Sequence, residues 1–216
     1  MMRAVIFDMD GLMIDSERLY FQAERDLAHR FGRDVEDATL RRMMGRNPKE
    51  SLRIFVEDQD LPVGVDEALA MRNEIMREKL KADLQPMPGL EHILSSFFRK
   101  LKLAVCTGAQ KEFLDLVVDS LDIRDRFDVL QHSDTVGMGK PHPEIYLTTC
   151  RKLGLKPNAC VVLEDSSNGV RAGNAAGCYV IAVPSEYTGD QDFSRADHIV
   201  NDLFAAAEHI ASLSGT

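Results

Sequence analysis

Short apolar runs recur along the chain at residues 4–7, 101–106, 127–130, 160–163 and 179–183, with a weaker one at 199–200. The five strong runs are four to six residues long and rich in Val and Ile. Nearly continuous apolar runs of that length suit parallel strands covered on both faces. Helical periodicity fills the gaps between them. Phe113, Leu114, Val117, Val118 and Leu121 share one helical face. A second helix is predicted from Pro143 through Ile145, Tyr146 and Leu153, and a third from about Ser167 to Gly177, a residue suited to a helix C-terminus. Alternating strands and helices predict an α/β fold with a doubly wound parallel sheet.

One stretch breaks the alternation. From about Ser16 to Leu84 the pattern is helical throughout. Leu19, Tyr20, Ala23, Leu27 and Phe31 form one amphipathic face, and Leu40, Met43 and Met44 a short helix ending at Gly45. Asn47-Pro48-Lys49-Glu50 reads as an N-cap, a proline in the first turn and an acid at the third position, ahead of Leu52, Phe55 and Val56. Ala68, Leu69, Arg72, Ile75, Met76 and Leu80 make the last helix, and residues 85–89 read as a linker. The expected organisation is therefore a catalytic core over 1–15 and 86–216, with an all-helical insertion over 16–85.

Composition narrows the function. The 216 residues are 44% hydrophobic and 28% charged, enough for a sizeable core. Lys and Arg number 26 against 35 Asp and Glu, a formal charge of −9, which argues against nucleic acid as a partner. The apolar segment behind the N-terminus is too short for a signal peptide, and the longest apolar stretch, 178–183, is far too short to span a membrane. Cys106, Cys150, Cys160 and Cys178 show no CxxC spacing and suit reduced, buried thiols. These features predict a soluble cytoplasmic protein without membrane attachment. No coiled-coil heptads appear, so a monomer is expected.

In open α/β sheets, ligands bind beyond the carboxyl ends of the strands. The residues that follow the apolar runs are Asp8-Met9-Asp10-Gly11, Thr107-Gly108-Ala109 and Glu164-Asp165-Ser166. A parallel sheet brings all three sets to one edge. Lys140 lies in the loop that opens the helix before the fourth run. Four acids, a hydroxyl and an ammonium would then share a crevice. At an effective dielectric of about 20, each carboxylate pair near 4 Å costs roughly 4 kcal/mol. A hard divalent cation relieves that repulsion, and all-oxygen ligands favour Mg²⁺ over zinc. Lys140, the Thr107 hydroxyl and the backbone N–H groups of Gly11, Gly108 and Ala109 suit a phosphate. A carboxylate here can attack phosphorus, and a second carboxyl two residues on can move the protons; Asp8 and Asp10 have that spacing.

These residues, in this order, resemble the haloacid dehalogenase superfamily of phosphatases. The resemblance is carried by Phe7-Asp8-Met9-Asp10-Gly11, by Thr107, by Lys140-Pro141-His142-Pro143-Glu144-Ile145-Tyr146, and by Glu164-Asp165-Ser166-Ser167-Asn168-Gly169. The helical insertion resembles the cap of the subfamily containing β-phosphoglucomutase and many sugar-phosphate phosphatases. The resemblance implies a Rossmann-like core under a mobile cap that excludes water on closure. It implies that Asp8 is nucleophile and Mg²⁺ ligand, and that Asp10 is acid/base and gives its carbonyl to the metal. Thr107 and Lys140 would bind the transferred phosphoryl group, with Lys140 also orienting Asp8. Asp165 would bind the metal, and Glu164 would reach it directly or through water. The implied activity is hydrolysis of small phosphorylated metabolites, sugar phosphates first.

Competing readings follow from the same residues. A phosphosugar mutase uses the same aspartyl-phosphate, but the mutase carries a histidine where this chain has Tyr20, and an arginine near the place occupied by Pro48. A catalytically silent binding protein would have no use for Asp10. A dehalogenase needs neither Asp10 nor a divalent metal. Glu164-Asp165 alone would equally suit the N-terminus of the following helix. Arg41, Arg42, Arg46, Lys49, Arg53, Arg72 and Arg77 make the insertion locally basic. Most of them read as solvated helix faces, with Arg46 and Lys49 as candidate substrate contacts.

Overall fold

Buried apolar side chains at four successive positions form β1 (Ala4–Phe7), the centre of a six-stranded sheet. Its other strands are β2 (Lys102–Cys106), β3 (Val129–Gln131), β4 (Cys160–Glu164), β5 (Tyr179–Ala182) and β6 (His198–Ile199). The molecule is known from a computed structural model that describes residues 1–44 and 48–214. Every pairing is parallel and the strand order is β3-β2-β1-β4-β5-β6. The order reverses direction at β1, so the crevice beyond its carboxyl end, between β2 and β4, is the switch point where doubly wound sheets bind ligands.

Successive side chains alternate between the faces of the sheet. Ala4 and Ile6 of β1, Ala104 and Cys106 of β2, and Cys160 and Val162 of β4 fall in one cluster with Ile145, Tyr146, Val170 and Ala172. Their neighbours Val5, Phe7, Leu103, Val105, Val161 and Leu163 are equally buried, so the sheet is covered on both sides. The helices of this unit are α5 (Leu90–Phe97), α6 (Lys111–Ser120), α7 (Glu144–Leu153), α8 (Ser167–Ala176) and α9 (Leu203–Ser214). Here α7 starts one residue later than the sequence predicts, with Pro143 as its N-cap. Gly177 closes α8 at φ 82°, as its place in the pattern requires. The third strand is shifted to end on the buried Gln131.

Two helices of this unit were not singled out from the sequence. Leu90, Ile93, Leu94 and Phe97 form the buried stripe of α5, and Leu203, Ala206, Ala207 and Ile210 are buried along α9, which packs against α5. The segment read as a linker is paired rather than loose. Asp15 N–H donates to the Gln85 carbonyl at 3.0 Å and Met87 N–H to the Met13 carbonyl at 2.9 Å.

The chain divides into two compact units, Met1–Asp15 with Gln85–Thr216, and Ser16–Leu84. The second unit holds α1 (Ser16–Arg30), α2 (Asp37–Met43), α3 (Pro48–Asp58) and α4 (Val65–Asp83). Within it α1 packs on α4, and α3 packs on both α2 and α4. Leu19, Ala23, Leu27, Leu40, Leu52, Phe55, Ala68 and Met76 fill its interior. Arg72, which the periodicity sets among the apolar positions of the last helix, is only 5% exposed. Its guanidinium lies over the Tyr20 ring at 5.0 Å and its Nη1 is 3.9 Å from Glu24, which is also buried. All four cysteines are reduced and buried. Among the described residues no helix is long and apolar enough to cross a membrane.

Candidate active site

The strands deliver their polar residues to one edge because pairing runs on just past each strand end. Asp8 N–H donates to the Leu163 carbonyl at 3.0 Å, Thr107 N–H to the Gln131 carbonyl at 3.0 Å, and Val183 N–H to the Glu164 carbonyl at 2.7 Å. Asp8, Thr107 and Glu164 are thereby held at backbone precision, and they and Asp165 are each at most 6% exposed. After Asp8 the chain turns sharply. Met13 and Ile14 N–H both donate to the Met9 carbonyl, and Gly11 sits at φ 73°, where a side chain would be strained. A Cβ on Gly11 would also stand 2.3 Å from Asp165 Oδ2, so this glycine seats the Asp165 carboxylate against the turn.

The Lys140 ammonium joins the edge from the loop before α7. It donates to Asp8 Oδ1 at 2.5 Å, to Glu164 Oε1 at 2.6 Å and to the Cys106 carbonyl at 3.2 Å. An ammonium has three N–H groups, and all are used. Glu164 is equally committed. Its Oε1 accepts from Lys140 and from the Tyr146 hydroxyl at 2.7 Å, and its Oε2 accepts from the Ser166 N–H and hydroxyl at 3.2 and 3.0 Å. Gly169 in the first turn of α8 makes room for this carboxylate; a Cβ there would lie 1.8 Å from Oε1. Ser166 also caps α8, its hydroxyl accepting from Gly169 N–H. The Thr107 hydroxyl donates to Asp10 Oδ2 at 3.3 Å and accepts from Ala109 N–H at 2.9 Å.

Carboxylate oxygens of Asp8, Glu164 and Asp165 all lie within 4.8 Å of one another, and among the described residues the Lys140 ammonium bonds to two of these acids. Burial pushes the Asp8 carboxyl well above the usual carboxylate range, Glu164 and Asp10 push it further, and Lys140 opposes them. Burial alone would discharge Lys140, but Asp8 and Glu164 outweigh it and hold the ammonium more firmly than an ordinary lysine. Burial raises the Tyr146 hydroxyl, which stays a proton donor. The same cause pushes Cys106 up to about 12. A buried, all-oxygen cluster of three carboxylates fits a hard divalent cation.

The sequence-derived candidates thus divide. Asp8, Asp10, Thr107, Lys140, Glu164 and Asp165 meet at one edge. The Gly11 N–H is taken by the Ile14 carbonyl at 3.0 Å, and the Ala109 N–H by Thr107. Turn closure consumes both of these donors, which were expected to face a phosphate. Lys49 is exposed on α3 and pairs with Asp66 of α4 at 2.8 Å. Arg46 and the proposed cap residue Asn47 lie outside the described residues. Two contributors were missed. Tyr146 read as one more apolar position of a helix, although a buried tyrosine hydroxyl demands a polar partner. Ser166 was read only as part of a motif, although a serine before a helix marks an N-cap.

The family model for haloacid dehalogenase-like hydrolases matches residues 5–183. The chain is 36% identical over 178 residues to a phosphorylated carbohydrates phosphatase of Thermotoga maritima, covering 82% of each chain. It is 32% identical over 204 residues to hexitol phosphatase B of Escherichia coli, covering 93% of this chain and 92% of that one. Among solved structures, CbbY of Rhodobacter sphaeroides in complex with phosphate superposes with a TM-score of 0.85 at 26% identity, over 94% of this chain and 95% of that one. Sheet order, the acidic edge and these likenesses agree, and the chain belongs to the haloacid dehalogenase-like hydrolase family.

Proposed function

We propose that this protein is a Mg²⁺-dependent phosphatase of small phosphorylated metabolites, sugar and polyol phosphates first, acting through an aspartyl-phosphate on Asp8. The observation that carries the proposal is the Lys140 ammonium bridging Asp8 and Glu164 beside Asp165 at the sheet's switch point. The relatives named for phosphorylated carbohydrates and hexitols support the substrate class. We place the enzyme in the cytoplasm as a monomer, where its four thiols stay reduced.

Asp8 attacks phosphorus, forming an Asp8–phosphorus bond as the bond to the leaving oxygen breaks. Asp10, oriented by Thr107, gives its proton to that oxygen. It then takes a proton from the water that attacks the phosphoaspartate, and inorganic phosphate leaves with Asp8 restored. Lys140 fixes the attacking carboxylate and offsets charge on the transferred group. Asp8, Asp165 and the Asp10 carbonyl would hold Mg²⁺, which would neutralise the crowded carboxylates and polarise the phosphoryl oxygens. Glu164, whose two oxygens already accept four hydrogen bonds, we assign to holding Lys140 in place of the direct or water-mediated metal contact expected from the sequence.

The test is a panel of phosphorylated sugars, polyols and p-nitrophenyl phosphate, followed by inorganic phosphate release with Mg²⁺ and with EDTA. Release with Mg²⁺ and its loss with EDTA support the proposal. Isomer formation from β-glucose 1-phosphate without phosphate release would make the protein a mutase, and EDTA-resistant turnover would remove the metal.

A further inference from the structure

We propose that Tyr146 is a positioning residue of the phosphoryl-transfer centre: through its hydroxyl on Glu164 it sets where the Lys140 ammonium stands against Asp8. The inference rests on the phosphatase reading and extends it to a residue that reaches the reacting atoms through Glu164 and Lys140. Tyr146 is wholly buried on α7, under the sheet rather than in the crevice. Its hydroxyl reaches the same oxygen, Glu164 Oε1, that receives Lys140, at 2.7 and 2.6 Å. The Lys140 Nζ also stands 5.1 Å from the centre of the Tyr146 ring, so one side chain touches both members of the pair.

The bonds around Glu164 are fully used. Glu164 has two acceptor sites on each oxygen, and four donors fill them. Two of those donors, from Ser166, are fixed by the start of α8; the Tyr146 hydroxyl is the remaining one that does not itself need to move during catalysis. Without it, Lys140 is the sole donor to Oε1, and the carboxylate can rotate towards the ammonium. Lys140 would then be drawn from Asp8 towards Glu164. A lysine is flexible along four bonds, so its tip is only as well placed as its partners.

The experiment compares wild type, Tyr146→Phe, Glu164→Gln and the double variant, with p-nitrophenyl phosphate and Mg²⁺, in parallel with thermal melts. Phenylalanine keeps the ring under the ammonium and removes only the hydroxyl. The expected result is a fall in kcat of about tenfold, the worth of one hydrogen bond to a charged group, with KM within about twofold of wild type. In the Glu164→Gln background the same substitution should cost less than about twofold, because the path through Glu164 is already cut. A folded Tyr146→Phe enzyme with wild-type kcat, or an equal loss in both backgrounds, overturns the inference while leaving the phosphatase reading intact. A wild-type protein that releases no phosphate overturns both. Should Tyr146→Phe fail to fold, 3-fluorotyrosine at position 146, a stronger donor of nearly the same size, must alter kcat; an unchanged kcat overturns the inference.

Discussion

In the helical unit the Arg72 guanidinium lies 3.9 Å from Glu24; in the sheet unit the Lys140 ammonium lies 2.5 Å from Asp8 and 2.6 Å from Glu164. Both clusters are almost wholly buried. Their chemistry differs because their bonds do. Arg72 spends its Nε on the neighbouring Asn73 and its face on the Tyr20 ring, so Glu24 receives attraction without a close charged hydrogen bond. Burial therefore dominates there, and the Glu24 carboxyl is pushed from 4.5 up to about 7 despite Arg72 and Arg25. Around Lys140 every N–H is placed, and both oxygens of Glu164 are filled. Burial raises a carboxyl in both clusters, Glu24 to about 7 and Asp8 well above the usual range; what differs is the cation, which in the sheet unit is held by close hydrogen bonds to both of its acids. The sheet unit holds its ammonium firmly between two acids; the helical unit leaves Glu24 with only distant attraction against burial.

The largest expected effect sharpens that contrast. Asp8→Asn should lower turnover of p-nitrophenyl phosphate by at least about 10⁴-fold, the scale seen when a nucleophile is removed, while circular dichroism and melting stay close to wild type. Turnover at the wild-type rate would remove Asp8 as the nucleophile. Next comes Gly169→Ala. Its Cβ would occupy the Glu164 carboxylate's position, forcing it off its donors. Breaking a buried ionic cluster costs about 3–5 kcal/mol, so unfolding in urea should show a loss of that order together with loss of activity. A variant as stable and active as wild type would contradict the packing described around Glu164.

The smallest effect concerns Glu24. Its folded pKa lies above its ordinary value, so the folded state binds the proton more tightly. The stability this group contributes is complete below about pH 4.5 and is lost as pH rises through about 7, in all about 3 kcal/mol. Glu24→Gln cannot ionise and should flatten that part of the stability profile between pH 5 and 8, measured by urea unfolding. An unchanged slope would mean that Glu24 is not the group responsible.

How much of this was legible in the sequence depends on what each residue's neighbours are. The acidic edge was readable because it needs only strand ends: an apolar run followed at once by Asp8, Thr107 or Glu164 has one exit from a parallel sheet. The helical insertion was readable from periodicity, and Gly177 from its place after α8. Other features needed directions that spacing does not supply. The pattern put Tyr146 on a buried face but could not say that its hydroxyl points at Glu164. Seven bases of the insertion were read mostly as solvated, and Arg72 is the buried exception that its position on the apolar stripe of α4 indicates. Gly11 and Ala109 were expected to offer N–H groups to a phosphate, but both N–H groups close turns, a use that spacing does not reveal. Arg46 lies outside the described residues, and Lys49 is engaged with Asp66.

The central claim, that Asp8 carries the phosphoryl group, is tested most directly in the Asp10→Asn variant. Nitrophenolate leaves without needing a proton, so phosphorylation of Asp8 should proceed while hydrolysis of the phosphoaspartate stalls. The account predicts a burst of one nitrophenolate per enzyme, then near silence, with acid-quenched protein carrying one phosphoryl group that maps to Asp8. Absence of a burst with unmodified protein, or a phosphoryl group found on another residue, would contradict it.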